Sequence, residues 1–61
     1  MNILGIDPGL GTTGYGVISN ANNNMKLVDF GTIKTSPKEA LSKRLKIIFD
    51  QISLLINTYE P

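Results

Sequence analysis

The feature that most constrains the fold is a short apolar run at residues 3–7, ILGID, which stops at Pro8 and Gly9. A nearly continuous apolar run of this length is typical of a β-strand that is covered on both faces. The run ends on a carboxylate, Asp7, although the strand otherwise has the composition of a buried one. The sequence therefore predicts a first strand that is central in its sheet and carries Asp7 at its carboxyl end.

The length of the chain limits how well such a strand can be covered. A domain of 61 residues buries only about 60% of the surface that its unfolded form exposes. The chain has no cysteine or histidine for a disulfide or a structural zinc site, so packing or partners must stabilise its small core. The net charge of +1 is not the basic balance of a free-standing nucleic-acid-binding domain. We expect one domain at most.

The N-terminal segment gives no indication of export or membrane insertion. No basic segment precedes the apolar run, and Pro8 and Gly9 interrupt the run after a few residues. Signal peptides and membrane spans both require a longer apolar stretch. Together with the absence of cysteine, this predicts a cytoplasmic protein that does not interact with membranes.

Two further strands follow the turn after Asp7. Residues 14–19, GYGVIS, and residues 25–34, MKLVDFGTIK, are rich in β-branched, aromatic and other apolar side chains. The Asn-rich residues 20–24 between them have no apolar periodicity and favour a left-handed backbone, so they predict a hairpin loop. The third strand is therefore expected to run antiparallel to the second.

A long helix is predicted after the third strand. Ser36 can cap it, Pro37 suits its first position, and Glu39 completes a capping box. Apolar residues then recur at helical spacing: Leu41, Leu45, Ile48, Phe49, Ile52, Leu55, Ile56 and Tyr59. Ile47 and Leu54 share a stripe on the side expected to face water, which indicates a second covering element that these residues do not supply. We expect an α/β piece of order β-β-β-α from a longer protein.

The turn after Asp7, PGLGTT, has three interpretations. Asp before Pro-Gly is common turn chemistry, in which the side chain accepts backbone hydrogen bonds. Alternatively, Asp7 is a ligand of Mg²⁺, an ion that can promote phosphodiester hydrolysis. In the third, backbone N–H groups and the hydroxyls of Thr12 and Thr13 bind the phosphates of ATP, as in phosphotransferases and ATPases of the actin and sugar-kinase superfamily. The spacing alone leaves all three open.

The order of residues is more specific than their spacing. The segment ILGIDPGLGTTGYGVI resembles the opening of RuvC-type Holliday junction resolvases, with Asp7, Pro8 and Gly9 followed in register by residues 13–18, TGYGVI. The resemblance continues through DFGTIKT in the third strand and LSKRLKIIFDQI in the helix, so that it covers essentially the whole chain. It implies a ribonuclease-H-like fold, of which this chain is the N-terminal β-β-β-α portion with an incomplete sheet.

The resemblance also implies an activity. Members of this family act in recombination and repair as homodimers that bind four-way DNA junctions and cut two strands of like polarity with Mg²⁺ or Mn²⁺. Asp7 matches the first catalytic acidic residue, which helps to bind the metal ion. The family's other acidic ligands lie on the strand after this helix and on a late helix, beyond Pro61. Residues 1–61 are thus expected to form the first part of a single nuclease domain and to be inactive alone.

Three further carboxylates are not expected to replace the missing ligands. Glu60 is placed at the helix end, Asp29 on the third strand and Asp50 on the solvated helix face. The family fold also implies a fourth strand beside the first, so in this chain the first strand has an open edge. We therefore expect the chain to self-associate, through the first strand or through the stripe of Ile47 and Leu54.

Overall fold

A computed structural model describes all of residues 1–61 as three antiparallel strands followed by one helix. Strand β1 spans Asn2–Asp7, β2 spans Thr12–Ala21, β3 spans Asn24–Lys34, and helix α1 spans Leu41–Tyr59. The predicted β-β-β-α order is confirmed. The strand order is β1-β2-β3, so the prediction of a central β1 is wrong for this chain, because no further strand pairs with its outer edge.

The β2–β3 hairpin turns on two asparagines. Asn22 and Asn23 have φ values of 52° and 65°, as a type I′ turn requires, and Asn adopts such values more readily than most residues. The predicted hairpin is confirmed, but its loop is shorter than residues 20–24 because the strands continue toward the turn. The ladder between the two strands is interrupted by one irregularity, between Val17 and Ile18.

Helix α1 covers one face of the sheet and leaves the other open. The buried apolar residues are Val17 and Ile33, and Thr13 is buried beside them. Since successive strand residues point to opposite faces, Leu4 shares the covered face with its partner Val17, whereas Asp7 lies on the open face. The core is therefore small and one-sided.

Helix α1 begins later than the sequence predicts. The backbone N–H of Lys38 donates to Ser36 Oγ at 3.2 Å, and the backbone N–H of Glu39 donates to the Ser36 carbonyl at 3.1 Å. These bonds close a separate turn before the helix, and Ala40 is the N-cap without any side-chain cap bond. The predicted capping box is wrong because the Ser36 oxygen is already used within its own turn.

Tyr59 ties the C-terminal end of α1 to both outer strands. Its hydroxyl donates to Asp29 Oδ2 on β3 at 2.7 Å, and its carbonyl accepts from Asn2 Nδ2 on β1 at 2.8 Å. The chain then leaves the helix at Glu60, which has a left-handed φ of 46°. These two bonds fix the direction in which α1 crosses the sheet.

The chain exposes more surface than a compact domain of its size. Its accessible surface is 4550 Å², against about 3,900 Å² expected for its mass. Its radius of gyration is 13.1 Å, against about 10.5 Å expected for its length. Part of this exposed surface is apolar and belongs to helix α1, on which Phe49 is 69% exposed. Helix α1 is nevertheless not long and apolar enough to cross a membrane.

Ile47 and Leu54 lie beside the sheet rather than opposite to it. With Tyr15 and Ile33 they help to line a groove between α1 and β3. They border this groove and do not lie on the far side of the helix, because the apolar arc of α1 extends around the helix toward β3. Both are exposed, at 40% and 59% of their surface, as the sequence predicts.

We expect the Tyr59→Phe substitution to remove a pH-dependent part of the stability. The hydrogen bond to Asp29 raises the pKa of Tyr59 above its ordinary value of 10.0, and desolvation and the Asp29 charge act in the same direction. The contribution is therefore complete below the unfolded-state pKa and is lost as the pH rises through the folded-state pKa. In urea unfolding, Tyr59→Phe should be less stable at neutral pH, and the difference from wild type should close at high pH. A difference that stays constant through the tyrosine titration would contradict this.

Candidate active site

Asp7 is the last residue of β1, where it pairs with Gly14 of β2. Beside it lies a shallow depression of about 480 Å³. Four of the seven lining residues are glycines: Gly5, Gly14, Gly16 and Gly31. Gly5, Gly14 and Gly16 share the open face with Asp7, so no side chain at these positions blocks the approach of a ligand. Gly31 instead gives room to the Tyr15 ring on the covered face.

The carboxylate of Asp7 is unengaged. None of the side-chain hydrogen bonds or salt bridges uses it, and the residue is exposed. The interpretation of Asp7 as plain turn chemistry is therefore not supported, since it requires backbone N–H groups that donate to this side chain. Both oxygens are free to bind a cation.

The end of β1 offers one carboxylate and no complete metal site. No group of three or more His, Cys, Asp or Glu side chains is placed to hold a metal ion. Mg²⁺ is bound in proteins by one or two carboxylates together with water or substrate oxygens, in octahedral geometry. Asp7 fits the role of one such ligand. The rest of the coordination sphere has to come from water, substrate or other residues.

Thr13 holds the turn after Asp7 in place. Its buried hydroxyl donates to the Gly9 carbonyl at 2.7 Å, and the Gly9 N–H lies 3.4 Å from the same oxygen. Glycine is required at position 9 because a Cβ there would lie 2.3 Å from the Thr12 carbonyl oxygen. The close approach that Gly9 permits is thus internal to the turn and is not a contact with a ligand.

The connection from β3 to α1 supports the same turn from the other side. The Thr35 hydroxyl donates to the Leu10 carbonyl at 2.5 Å, and the Thr35 N–H donates to the Gly11 carbonyl at 3.0 Å. Arg44 Nε donates in turn to the Thr35 hydroxyl at 3.2 Å. Sequence reasoning missed both Thr35 and Arg44. Helical spacing could have identified Arg44, because it lies four residues before Ile48 and so on the side of α1 that faces the sheet.

The ATP-binding alternative is not supported by this turn. It requires the hydroxyls of Thr12 and Thr13 to bind phosphate oxygens. The Thr13 side chain is only 2% exposed, and its hydroxyl is used by Gly9. The Thr13 hydroxyl therefore maintains the shape of the turn and is not available to bind a phosphate oxygen.

Three of the four other carboxylates lie on the elements predicted for them, away from Asp7. Asp29 lies on β3 and accepts the hydrogen bond of Tyr59. Asp50 pairs with Lys46 at 2.8 Å on the exposed side of α1, and Glu60 caps the end of the helix. None of the three therefore joins Asp7 at the end of β1.

Comparison with known proteins gives one consistent family. A family model described as crossover junction endodeoxyribonuclease RuvC matches residues 3–61. A protein of that name from Treponema denticola is 48% identical over 59 residues, which cover 97% of this chain and 33% of the relative. Those from Alkaliphilus metalliredigens and Petrotoga mobilis are 48% and 51% identical over 61 residues, all of this chain and 37% of each relative.

The match includes every element described above. It extends over the three strands, the Asp7 turn and the helix, although the chain spans only about a third of the length of these curated relatives. No solved structure gives a significant match. The chain therefore belongs to the RuvC family of crossover junction endodeoxyribonucleases and has the N-terminal β-β-β-α portion of their ribonuclease-H-like fold.

Proposed function

We propose that residues 1–61 are the first part of a single nuclease domain that resolves four-way DNA junctions in homologous recombination and repair. The observation that supports this most directly is the unengaged Asp7 carboxylate at the end of β1, in a chain that matches the family along nearly its whole length. The relatives are named as crossover junction endodeoxyribonucleases, and we infer the same substrate class for the whole protein.

In this proposal Asp7 is a catalytic residue and a ligand of Mg²⁺ or Mn²⁺. When bound, such an ion activates water and stabilises the leaving oxygen of a phosphodiester. The residues of this chain hold one carboxylate at a fixed position. Pairing with Gly14 fixes the backbone of Asp7, and the bond between Thr13 and Gly9 fixes the turn that follows. The glycine-lined surface beside Asp7 gives a DNA backbone room to approach.

We further propose that the whole nuclease is a cytoplasmic homodimer. A four-way junction presents two equivalent strands for cleavage, and a two-fold symmetric protein can present one carboxylate cluster to each of them. The net charge of +1 on residues 1–61 supports a division of labour in which most contacts with DNA phosphates come from other parts of the protein.

Replacing Asp7 tests its assignment. Residues 1–61 would replace the matched segment of the Alkaliphilus metalliredigens relative, which aligns with the whole chain. In this chimera Asp7→Asn should lower single-turnover junction cleavage by about 100-fold or more, because the site loses a charged ligand while side-chain size is kept. Junction binding without metal should change little. Asp50→Asn is the matched control, because Asp50 pairs only with Lys46 on the exposed side of α1, and it should keep cleavage within about threefold of wild type. Full cleavage by Asp7→Asn would overturn the assignment.

The 61-residue chain alone should not cleave a four-way junction in Mg²⁺ or Mn²⁺, because one carboxylate does not complete a metal site. A titration of the isotope-labelled chain with MgCl₂ should shift amide signals only around Asp7, with affinity in the millimolar range or weaker. Cleavage above that of an Asp7→Asn control would show that no further ligands are needed. Shifts with MgATP at Gly9 to Thr13 that are absent with MgCl₂ would instead revive the ATP-binding alternative.

Thr13 offers a test of how the turn positions Asp7. Thr13→Val keeps the shape of the side chain but leaves the Gly9 carbonyl without its donor, which should cost about 1–3 kcal/mol in the free energy of unfolding. In the chimera it should also lower cleavage by about tenfold or more, because small displacements of a catalytic group are costly. Thr13→Ser retains the hydroxyl and should cleave close to the wild-type rate. Equal losses with both substitutions would contradict the role of this hydrogen bond.

A further inference from the structure

Arg44 is a partly buried cation without a counterion. It lies near the start of α1, and only its Nε–H group has a protein acceptor, the Thr35 hydroxyl at 3.2 Å. Neither of the two salt bridges in the chain includes Arg44. Charges that lose hydration on burial are usually paired, because an unpaired charge is costly in free energy. The terminal nitrogens of Arg44 are therefore available to an anion.

The turn beside Arg44 has unused donors of its own. The backbone N–H groups of Leu10 and Gly11 donate to no protein acceptor, whereas the carbonyls of both residues accept from Thr35. A Cβ at Gly11 would lie 3.9 Å from a terminal nitrogen of Arg44, so the guanidinium group lies next to this stretch of backbone. Guanidinium groups and free backbone N–H groups are both common ligands of phosphate oxygens.

The topology places these donors at the same end of the sheet as Asp7. Strand β1 ends at Asp7, the turn of Leu10 and Gly11 follows at once, and α1 begins at this end after β3. A DNA strand with one phosphate at Asp7 carries further phosphates on the neighbouring nucleotides. We propose that Arg44 and the backbone N–H groups of Leu10 and Gly11 bind one of these neighbouring phosphates. This proposal rests on the proposed function, because it takes DNA as the substrate.

Arg44 uses different atoms to support the turn and to bind phosphate. Its Nε–H group holds the Thr35 hydroxyl, which in turn donates to the Leu10 carbonyl. A neutral side chain with a donor at the position of Nε would be sufficient for that bond. The positive charge and the terminal N–H groups of Arg44 have no partner within this chain, so support of the turn does not account for them.

The phosphate site does not depend on the unpaired edge of β1. Arg44 bonds to Thr35, the residue that follows β3, and Thr35 bonds to the turn. A further strand in the family fold lies beside β1, at the opposite edge of the sheet from β3. The hydrogen bonds that hold these donors are therefore compatible with the complete nuclease domain.

The salt dependence of junction binding by the chimera, measured without metal, tests the phosphate contact. Arg44→Gln keeps an amide N–H at the position of Nε, so the bond to Thr35 can persist while the charge is lost. This variant should reduce the slope of log affinity against log salt by about 0.9 per phosphate contact, and by about twice that in a homodimer. Arg44→Lys keeps the charge and should keep the slope.

Lys46→Gln is the matched control for this measurement. It removes the same charge from α1, but Lys46 is exposed and pairs with Asp50, so the slope should stay at the wild-type value. A wild-type slope for Arg44→Gln, or an equal reduction by Lys46→Gln, would overturn the phosphate contact. Neither result would affect the assignment of Asp7, which depends on cleavage. A wild-type chimera that does not bind the junction would instead contradict the proposed function.

Inorganic phosphate tests the same donors in the 61-residue chain. In the isotope-labelled chain it should shift the amide signals of Leu10 and Gly11, and Arg44→Gln should abolish these shifts. Potassium chloride at equal ionic strength should not produce them. Phosphate shifts combined with a wild-type slope for Arg44→Gln would assign the site to a small phosphate compound and contradict the DNA contact. Shifts with MgATP that inorganic phosphate does not produce would favour the ATP-binding alternative.

Discussion

The hydrogen bond from the Thr13 hydroxyl to the Gly9 carbonyl is the interaction on which the rest of the structure depends. Thr13 belongs to β2, and it is buried under α1 while it holds the turn that leaves β1. It therefore links three parts of the chain at the point where Asp7 is presented. Because Gly9 permits a close approach that a Cβ would block, the turn keeps its shape without using the Asp7 carboxylate. That carboxylate stays free for chemistry.

The sequence predicted those features that local pattern determines. Alternating and continuous apolar runs predicted the three strands, and the end of the first run placed Asp7 correctly at the carboxyl end of β1. The predicted start of α1 was wrong because the Ser36 hydroxyl can either cap a helix or close a turn of its own. The local sequence does not distinguish these two uses. The support of the turn by Thr35 and Arg44 depends on residues that only the folded chain brings together.

Helix α1 has more apolar surface than the three strands of this chain cover. Its apolar arc extends from Ile47 on the β3 side to Phe49 on the β1 side, which is wider than the surface that three strands cover. Periodicity predicted which residues are apolar together but not which of them would be buried, because burial depends on the width of the sheet. A wider sheet on the β1 side would cover Phe49, and it is this side on which β1 also has unpaired backbone groups.

The outer edge of β1 links the fold to the proposed site. The backbone groups of Asn2, Leu4 and Ile6 that point away from β2 are those that a further strand of the same domain would use. Such a strand would run beside Asp7, so that a carboxylate on it could lie next to the Asp7 carboxylate. In the proposed nuclease, the segment that pairs with β1 would therefore also help to complete the metal site at Asp7.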